Sequence, residues 1–297
     1  MKKNYIFAFI TVFVWSTNAT VSKMLLTDIP SLETLAISSG LAFLFLLLMN
    51  IKTGIIKTIK DYSKKDIAAM AGLGFLGLFV YSALYYYGLT ILTSQEACIL
   101  NHLWPIMIVV FSAIILKEKL TVIKAAALLF SFFGIVILSS GTESATAENP
   151  LPGIISCILA AACYGLFSVL NKKADYDQNI AMMIIWFVTA VCSTATGLFA
   201  EKWVPITGAK WLGFLWLGIV INAVAYLLWA LALKGTKDTA KIANLAYLIP
   251  FLSLVVSAVV LKEQLTARVI IALVFIVGGI LFQNLYEFIQ NKKTARG

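Results

Sequence analysis

The stretch LTSQEACILNHLWPIMIVVFSAIILKEKLT, Leu92 to Thr121, decides how the chain is read. It is an apolar run interrupted at Pro105, carrying Glu96, Asn101, His102 and Trp104 and closing on Lys117-Glu118-Lys119-Leu120-Thr121. The same design returns downstream at one constant shift. Pro105 recurs as Pro250, Ser112-Ala113 as Ser257-Ala258, Leu116 as Leu261 and the closing run as Lys262-Glu263-Gln264-Leu265-Thr266. The chain is predicted to contain one long unit twice.

Composition fixes the solvent. Of 297 residues 61% are hydrophobic and 12% charged, and the mean hydropathy is +0.94, whereas a soluble domain carries roughly a quarter charged residues. Crossing about 30 Å of hydrocarbon takes about 20 apolar helical residues, because no water satisfies an open backbone there. Ten stretches qualify: Tyr5 to Leu26, Leu32 to Asn50, Ile67 to Gly88, Leu92 to Leu116, Val122 to Ser140, Gly153 to Asn171, Ile180 to Ala200, Trp211 to Leu233, Thr239 to Leu261 and Ala267 to Phe288. Ile51 to Asp66, Lys-rich and faintly amphipathic, is expected on the membrane surface.

The expected fold is an all-α integral membrane protein of ten transmembrane helices. Residues 1–141 form a first five-helix repeat, 142–152 a polar linker and 153–297 a second repeat. The first span is not a cleaved signal: its core is too long, no small-residue cleavage site follows, and Trp15-Ser16 and Ser22-Lys23 have counterparts in Tyr164-Gly165 and Asn171-Lys172. With the N-terminus inside, only Lys23, Lys202, Lys210, Lys262 and Arg268 of the 23 Lys and Arg residues fall outside, so both termini are placed in the cytoplasm. A unit with an odd number of spans must invert when repeated, and inverted repeats are the architecture of many secondary transporters, with a site near the midplane.

This bias also accounts for the net charge of +9 without nucleic-acid binding, since no separate basic domain exists. The four cysteines lie within spans and read as packing residues, not a disulfide framework.

Helical spacing gathers polar and aromatic residues into stripes: Thr11, Trp15, Asn18 and Ser22 on the first span; Cys157, Tyr164, Ser168 and Asn171 on the sixth; Tyr81, Ser82 and Tyr85 on the third; Asn222, Tyr226 and Trp229 on the eighth. Each stripe is open to two accounts, helix–helix glue or interfacial belt on one side and cavity wall on the other. Pro105 and Pro250 are expected to break the fourth and ninth helices, and paired broken helices point to a midplane site. By an ideal wheel Glu96, Asn101 and Trp104 share a face, and His102 points away from Trp104. Glu96 fits proton coupling, contact with a substrate amine, or a structural place about 13 Å from Pro105. Cys98 with His102 is too small a set for a metal. No acid, base and nucleophile recur together and no phosphate loop is present, so neither an enzyme nor a cofactor is expected.

These residues resemble a known family. Ten spans in two inverted halves, with Pro in the fourth and ninth followed by Lys-Glu-x-Leu-Thr, are similar to the EamA-type branch of the drug/metabolite transporter superfamily. Glu96-Ala97 followed by Asn101-His102-Leu103-Trp104-Pro105 resembles the Asn-Tyr-Leu-Trp-Pro signature of bacterial aromatic amino acid exporters, with His102 in place of Tyr. The resemblance implies a cytoplasmic-membrane exporter of amino acids or related metabolites. Its cavity residues carry over to Trp104 and to Tyr81, Ser82 and Tyr85. Ser82 stands where those exporters carry a histidine, which points to a substrate other than an aromatic amino acid. The substrate-site expectation is Trp15, Asn18, Tyr81, Ser82, Tyr85, Glu96, Asn101, His102, Trp104, Tyr164, Asn222 and Tyr226, in a chain that meets a small molecule and the lipid bilayer and leaves a homodimer open. Efflux of drugs or quaternary amines is the alternative transport reading, and a non-transporting scaffold or receptor the alternative class.

Overall fold

The computed structural model describes residues 2–115, 126, 129–130, 133–134, 136–137, 149–172, 176–234 and 244–294. Among them the chain is helix and turn, without a strand. The α-helices are α1 Lys2–Ser16, α2 Asn18–Leu26, α3 Ser31–Thr53, α4 Lys64–Gly74, α5 Tyr81–Ile91, α6 Ser94–Asn101, α7 Trp104–Ile115, α8 Leu151–Lys172, α9 Gln178–Ala200, α10 Lys210–Leu215, α11 Tyr226–Lys234, α12 Leu248–Val260 and α13 Ala267–Thr294. Two π-helical segments, Phe75–Val80 and Trp216–Ala225, join α4 to α5 and α10 to α11.

Six helices among the described residues are long and apolar enough to cross a membrane. Between 39% and 50% of each one's most apolar window is buried. The rest faces outward, including Phe13, Leu48, Phe199 and Leu212, an apolar surface that lipid satisfies and water does not. Most of the expected fifth span, the linker, Lys117 to Thr121 and the start of the ninth span lie outside the described residues.

Several spans are not the continuous helices the apolar runs suggest. The first breaks at Thr17, whose hydroxyl donates to Val14 O at 2.7 Å while Ser16 Oγ donates to Phe13 O at 2.7 Å; such back-bonding bends a helix. The third starts at a capping box between Ser63 and Asp66 and changes to π register over residues 75–80. The fourth is interrupted at His102 and Leu103. Pro105 has no amide hydrogen for the Asn101 carbonyl, and the chain tightens to three-residue spacing, with Leu103 N donating to Leu100 O at 3.1 Å and Ile106 N to Leu103 O at 3.0 Å. The segment of residues 51–66 is two-faced: Gly54 (φ 76) stops α3, and a 3₁₀ turn, Ile55–Asp61, packs its isoleucines inward while Lys57 and Lys60 stay exposed.

The halves interleave. Helix α3 packs along α9, α5 and α7 pack on α8, and α1 packs on α11 and α12. The approach of α5 to α8 needs Gly88, where a Cβ would stand 2.4 Å from Cys157 Sγ. These packings enclose a cavity where the breaks in the first and fourth spans meet.

Candidate functional site

The cavity is about 60 Å³ and is walled by residues from six stretches of the chain. The first span supplies Trp15, Asn18 and Ala19 beside the break at Thr17. Helix α5 supplies Tyr81 and Tyr85; the broken fourth span supplies Cys98, Asn101, His102 and Trp104; α8, α11 and α12 supply Tyr164, Tyr226 and Ile249. Among the described residues the lining holds no Lys, Arg, Asp or Glu.

Its aromatic walls are contiguous. Tyr164 lies between Tyr81 and Trp104, with ring centroids at 5.1 and 5.5 Å, and Trp15 lies between Tyr226 and Trp229 at 5.0 and 5.4 Å. These spacings suit edge-to-face and offset packing, which orients the rings beyond what burial requires. Tyr81 and Tyr226 each follow a π segment directly. The shift that carries Pro105 to Pro250 also carries Tyr81 to Tyr226, so the two tyrosines enter from corresponding points of the chain.

Polar groups sit between the rings. Asn101 Nδ2 donates to the Tyr81 hydroxyl at 3.0 Å. His102 Nδ1 is 2.7 Å from the Cys98 carbonyl, which can only accept, so Nδ1 carries a proton and Nε2 of the neutral ring is an acceptor. Two buried atoms of lining residues have no hydrogen-bond partner among the described residues: Trp15 Nε1, a donor, and Asn101 Oδ1, an acceptor. A buried polar atom left unpaired costs free energy that a ligand can recover. Among the described residues no group of three His, Cys, Asp or Glu side chains is placed to hold a metal.

The geometry gathers Trp15, Asn18, Tyr81, Tyr85, Asn101, His102, Trp104, Tyr164 and Tyr226, and leaves Ser82, Glu96 and Asn222 out of the lining. His102 departs from the wheel because the helix is broken at that residue, which turns it in beside Trp104. Ser82 is buried one position, about 100° of helix, beyond Tyr81. Asn222 lies inside the second π segment, buried but outside the lining. Glu96 belongs to the start of α6: Oε2 accepts from Thr93 N at 3.2 Å and Thr93 Oγ1 at 3.1 Å, and Oε1 is 3.5 Å from Arg268 Nη2. The pattern Thr93-x-x-Glu96 is a capping box that the sequence already spelled out. Ala19 and Ile249 line the cavity without having been singled out, and Cys98, weighed only as a metal partner of His102, joins them; the signal for Ile249 was its place next to Pro250.

The EamA-like transporter family matches residues 2–140 and again residues 151–285. The chain belongs to that family. It is accordingly a multi-pass protein of the plasma membrane, in a family of transporters and not of enzymes. An uncharacterized transporter of Clostridium kluyveri is 28% identical to this EamA protein over 99% of the chain and 96% of the relative. An aromatic amino acid exporter of Ancylobacter novellus is also 28% identical, over 70% of the chain and 72% of that protein. A solved crystal structure shares the fold with a TM-score of 0.70 at 22% identity, covering 96% of this chain and 98% of that one.

Proposed function

We propose that this EamA protein is a secondary transporter that exports amino acids or related small metabolites by alternating access. In this reading ten helices form inverted halves, residues 1–141 and 153–297, with both termini in the cytoplasm, and the cavity is the substrate site. The observation that carries it is the pair of unpartnered buried atoms on two residues that line an aromatic cavity. Trp15 Nε1 offers a donor to a carboxylate, and Asn101 Oδ1 an acceptor to an ammonium, while the faces of Trp104 and Tyr164 attract the same cation. A zwitterion satisfies all of these without a buried counter-ion, which the lining lacks among the described residues. The similarity to an exporter of aromatic amino acids supports the amino acid class.

The aromatic faces also favour a second reading, efflux of quaternary amines, which need no carboxylate site. Counterflow of labelled amino acids and organic cations into liposomes holding the purified protein separates the two, with Trp104→Ala as the site control. Saturable amino acid flux whose half-saturation rises in the variant is expected. Flux of organic cations alone selects the second reading, and no flux in any imposed gradient returns the chain to the scaffold class.

A further inference from the structure

One residue of the second half holds the start of α6 in the first. Glu263, in the turn between α12 and α13, accepts at Oε1 from Ser94 N at 2.7 Å and at Oε2 from Ser94 Oγ at 2.9 Å and Gln95 N at 3.2 Å. Gln95 Nε2 donates back to the Glu263 carbonyl at 3.3 Å. Beside it Arg268 reaches Glu96, and Lys23 caps the end of the third span through the carbonyls of Leu89 and Leu92. Both acidic groups act electrostatically on Lys23. Two acids and two bases thus close on one another at the membrane face opposite the N-terminus.

This cluster stands over the cavity. Helix α6 is eight residues long, begins at Ser94 under the Glu263 carboxylate and ends at Asn101 in the cavity wall, about 10 Å below. Between the two levels α2, α6 and α12 pack on one another. A similar cap occurs elsewhere: Glu201 accepts from Ser31 Oγ, Leu32 N and Glu33 N at the start of α3. That cap ties α3 to α9, a pair packed along its length, whereas Glu263 joins the two broken spans whose inner ends form the cavity.

The turn carrying Glu263 is also sprung. Lys262 has φ 56, the one non-glycine residue with a positive φ among the described residues. A side chain in that region is strained and stays there only while its surroundings hold it, and the residue beside it, Glu263, is bound to Ser94 and Gln95.

We propose that Glu263 is the latch of a gate. While its carboxylate holds Ser94 and Gln95, the cavity is closed to the face opposite the N-terminus; when it lets go, Lys262 relaxes, residues 261–266 swing from α6 and the cavity opens to that face. The inference rests on the transporter reading of the cavity beneath it.

The test is the distance between nitroxide labels at Thr90→Cys and Leu265→Cys, both exposed, in the full chain with its four native cysteines replaced, in lipid nanodiscs. The parent gives mainly one short distance. Glu263→Ala raises the share of a longer distance at least about tenfold, as loss of charge-assisted hydrogen bonds implies. Ser94→Ala, which removes only the hydroxyl donor and serves if Glu263→Ala does not fold, raises it less, and Glu201→Ala leaves it unchanged. Distances in the Glu263 or Ser94 variant that superimpose on the parent overturn the latch, as does an equal shift in Glu201→Ala. A shifted distance with no flux of any solute keeps the latch and removes the transporter reading; flux with an unshifted distance does the reverse.

Discussion

Replacing Gly77 by alanine tests the packing that sets Tyr164 in the cavity wall. Gly77 lies in the first π segment, facing Phe167 on α8. A Cβ there would stand 2.1 Å from Phe167 Cδ2, 2.3 Å from Cγ and 2.7 Å from Cβ, where carbon atoms settle at about 3.5–4.0 Å. Turning the ring relieves the first two contacts and not the third, since the Phe167 Cβ moves only with the backbone. Helix α8 must therefore retreat by about 1 Å, and Tyr164, one turn before Phe167 with ring centroids 5.8 Å apart, goes with it. Overpacking of this depth costs about 3 kcal/mol, and at roughly 2 °C per kcal/mol for a long chain the melting temperature falls by about 6 °C. The assay is thermal unfolding of the purified protein in nanodiscs, in a double-mutant cycle with Phe167→Ala. Removing the ring leaves the 2.7 Å contact, so the cycle shows partial rescue, with coupling of at least about 1 kcal/mol. An unchanged melting temperature in Gly77→Ala, or strict additivity with Phe167→Ala, would refute the reasoning.

Three further outcomes follow from the same geometry. Trp104→Ala removes the edge-to-face pair with Tyr164, worth about 1 kcal/mol, together with one wall of the cavity, so half-saturation in counterflow rises about tenfold while the protein stays folded by circular dichroism. Tyr81→Phe removes the hydroxyl that accepts from Asn101 Nδ2 at 3.0 Å and leaves that buried donor unpaired, a cost of about 1–3 kcal/mol, read as a lower melting temperature with helical content retained. Glu201→Ala strips the cap from α3 and lowers the unfolding free energy by about 1–2 kcal/mol, measured as a lower melting temperature with flux retained.

The helices were legible because lipid imposes a simple rule on sequence: an apolar run long enough to cross must be helical, and such runs carry the six described spans. The break before Trp104 was legible in Pro105, since a missing amide hydrogen is written in the residue itself. The π segments were not. Neither Phe75–Val80 nor Trp216–Ala225 contains a residue that forbids α register, and the i→i+5 pattern arises from how the helices seat on their neighbours. Glu96 misled for another reason. A carboxylate in an apolar run invites a functional account, yet Thr93, three residues earlier, had already assigned it to a helix start. Glu263 and Glu201 act on partners far along the chain, and no local pattern announces such a contact.

A cavity of about 60 Å³ has room for a few waters and not for a solute of amino acid size. Whatever enters must spread the walls, and its apparent affinity is reduced by the fraction of molecules already open enough to receive it. For an exporter of common metabolites this weakness is useful. A tight site would drain the cell of solutes it needs, whereas one that yields only under abundant solute discharges the surplus and leaves the working pool alone. On the export reading, the narrowness of the cavity makes the protein an overflow valve.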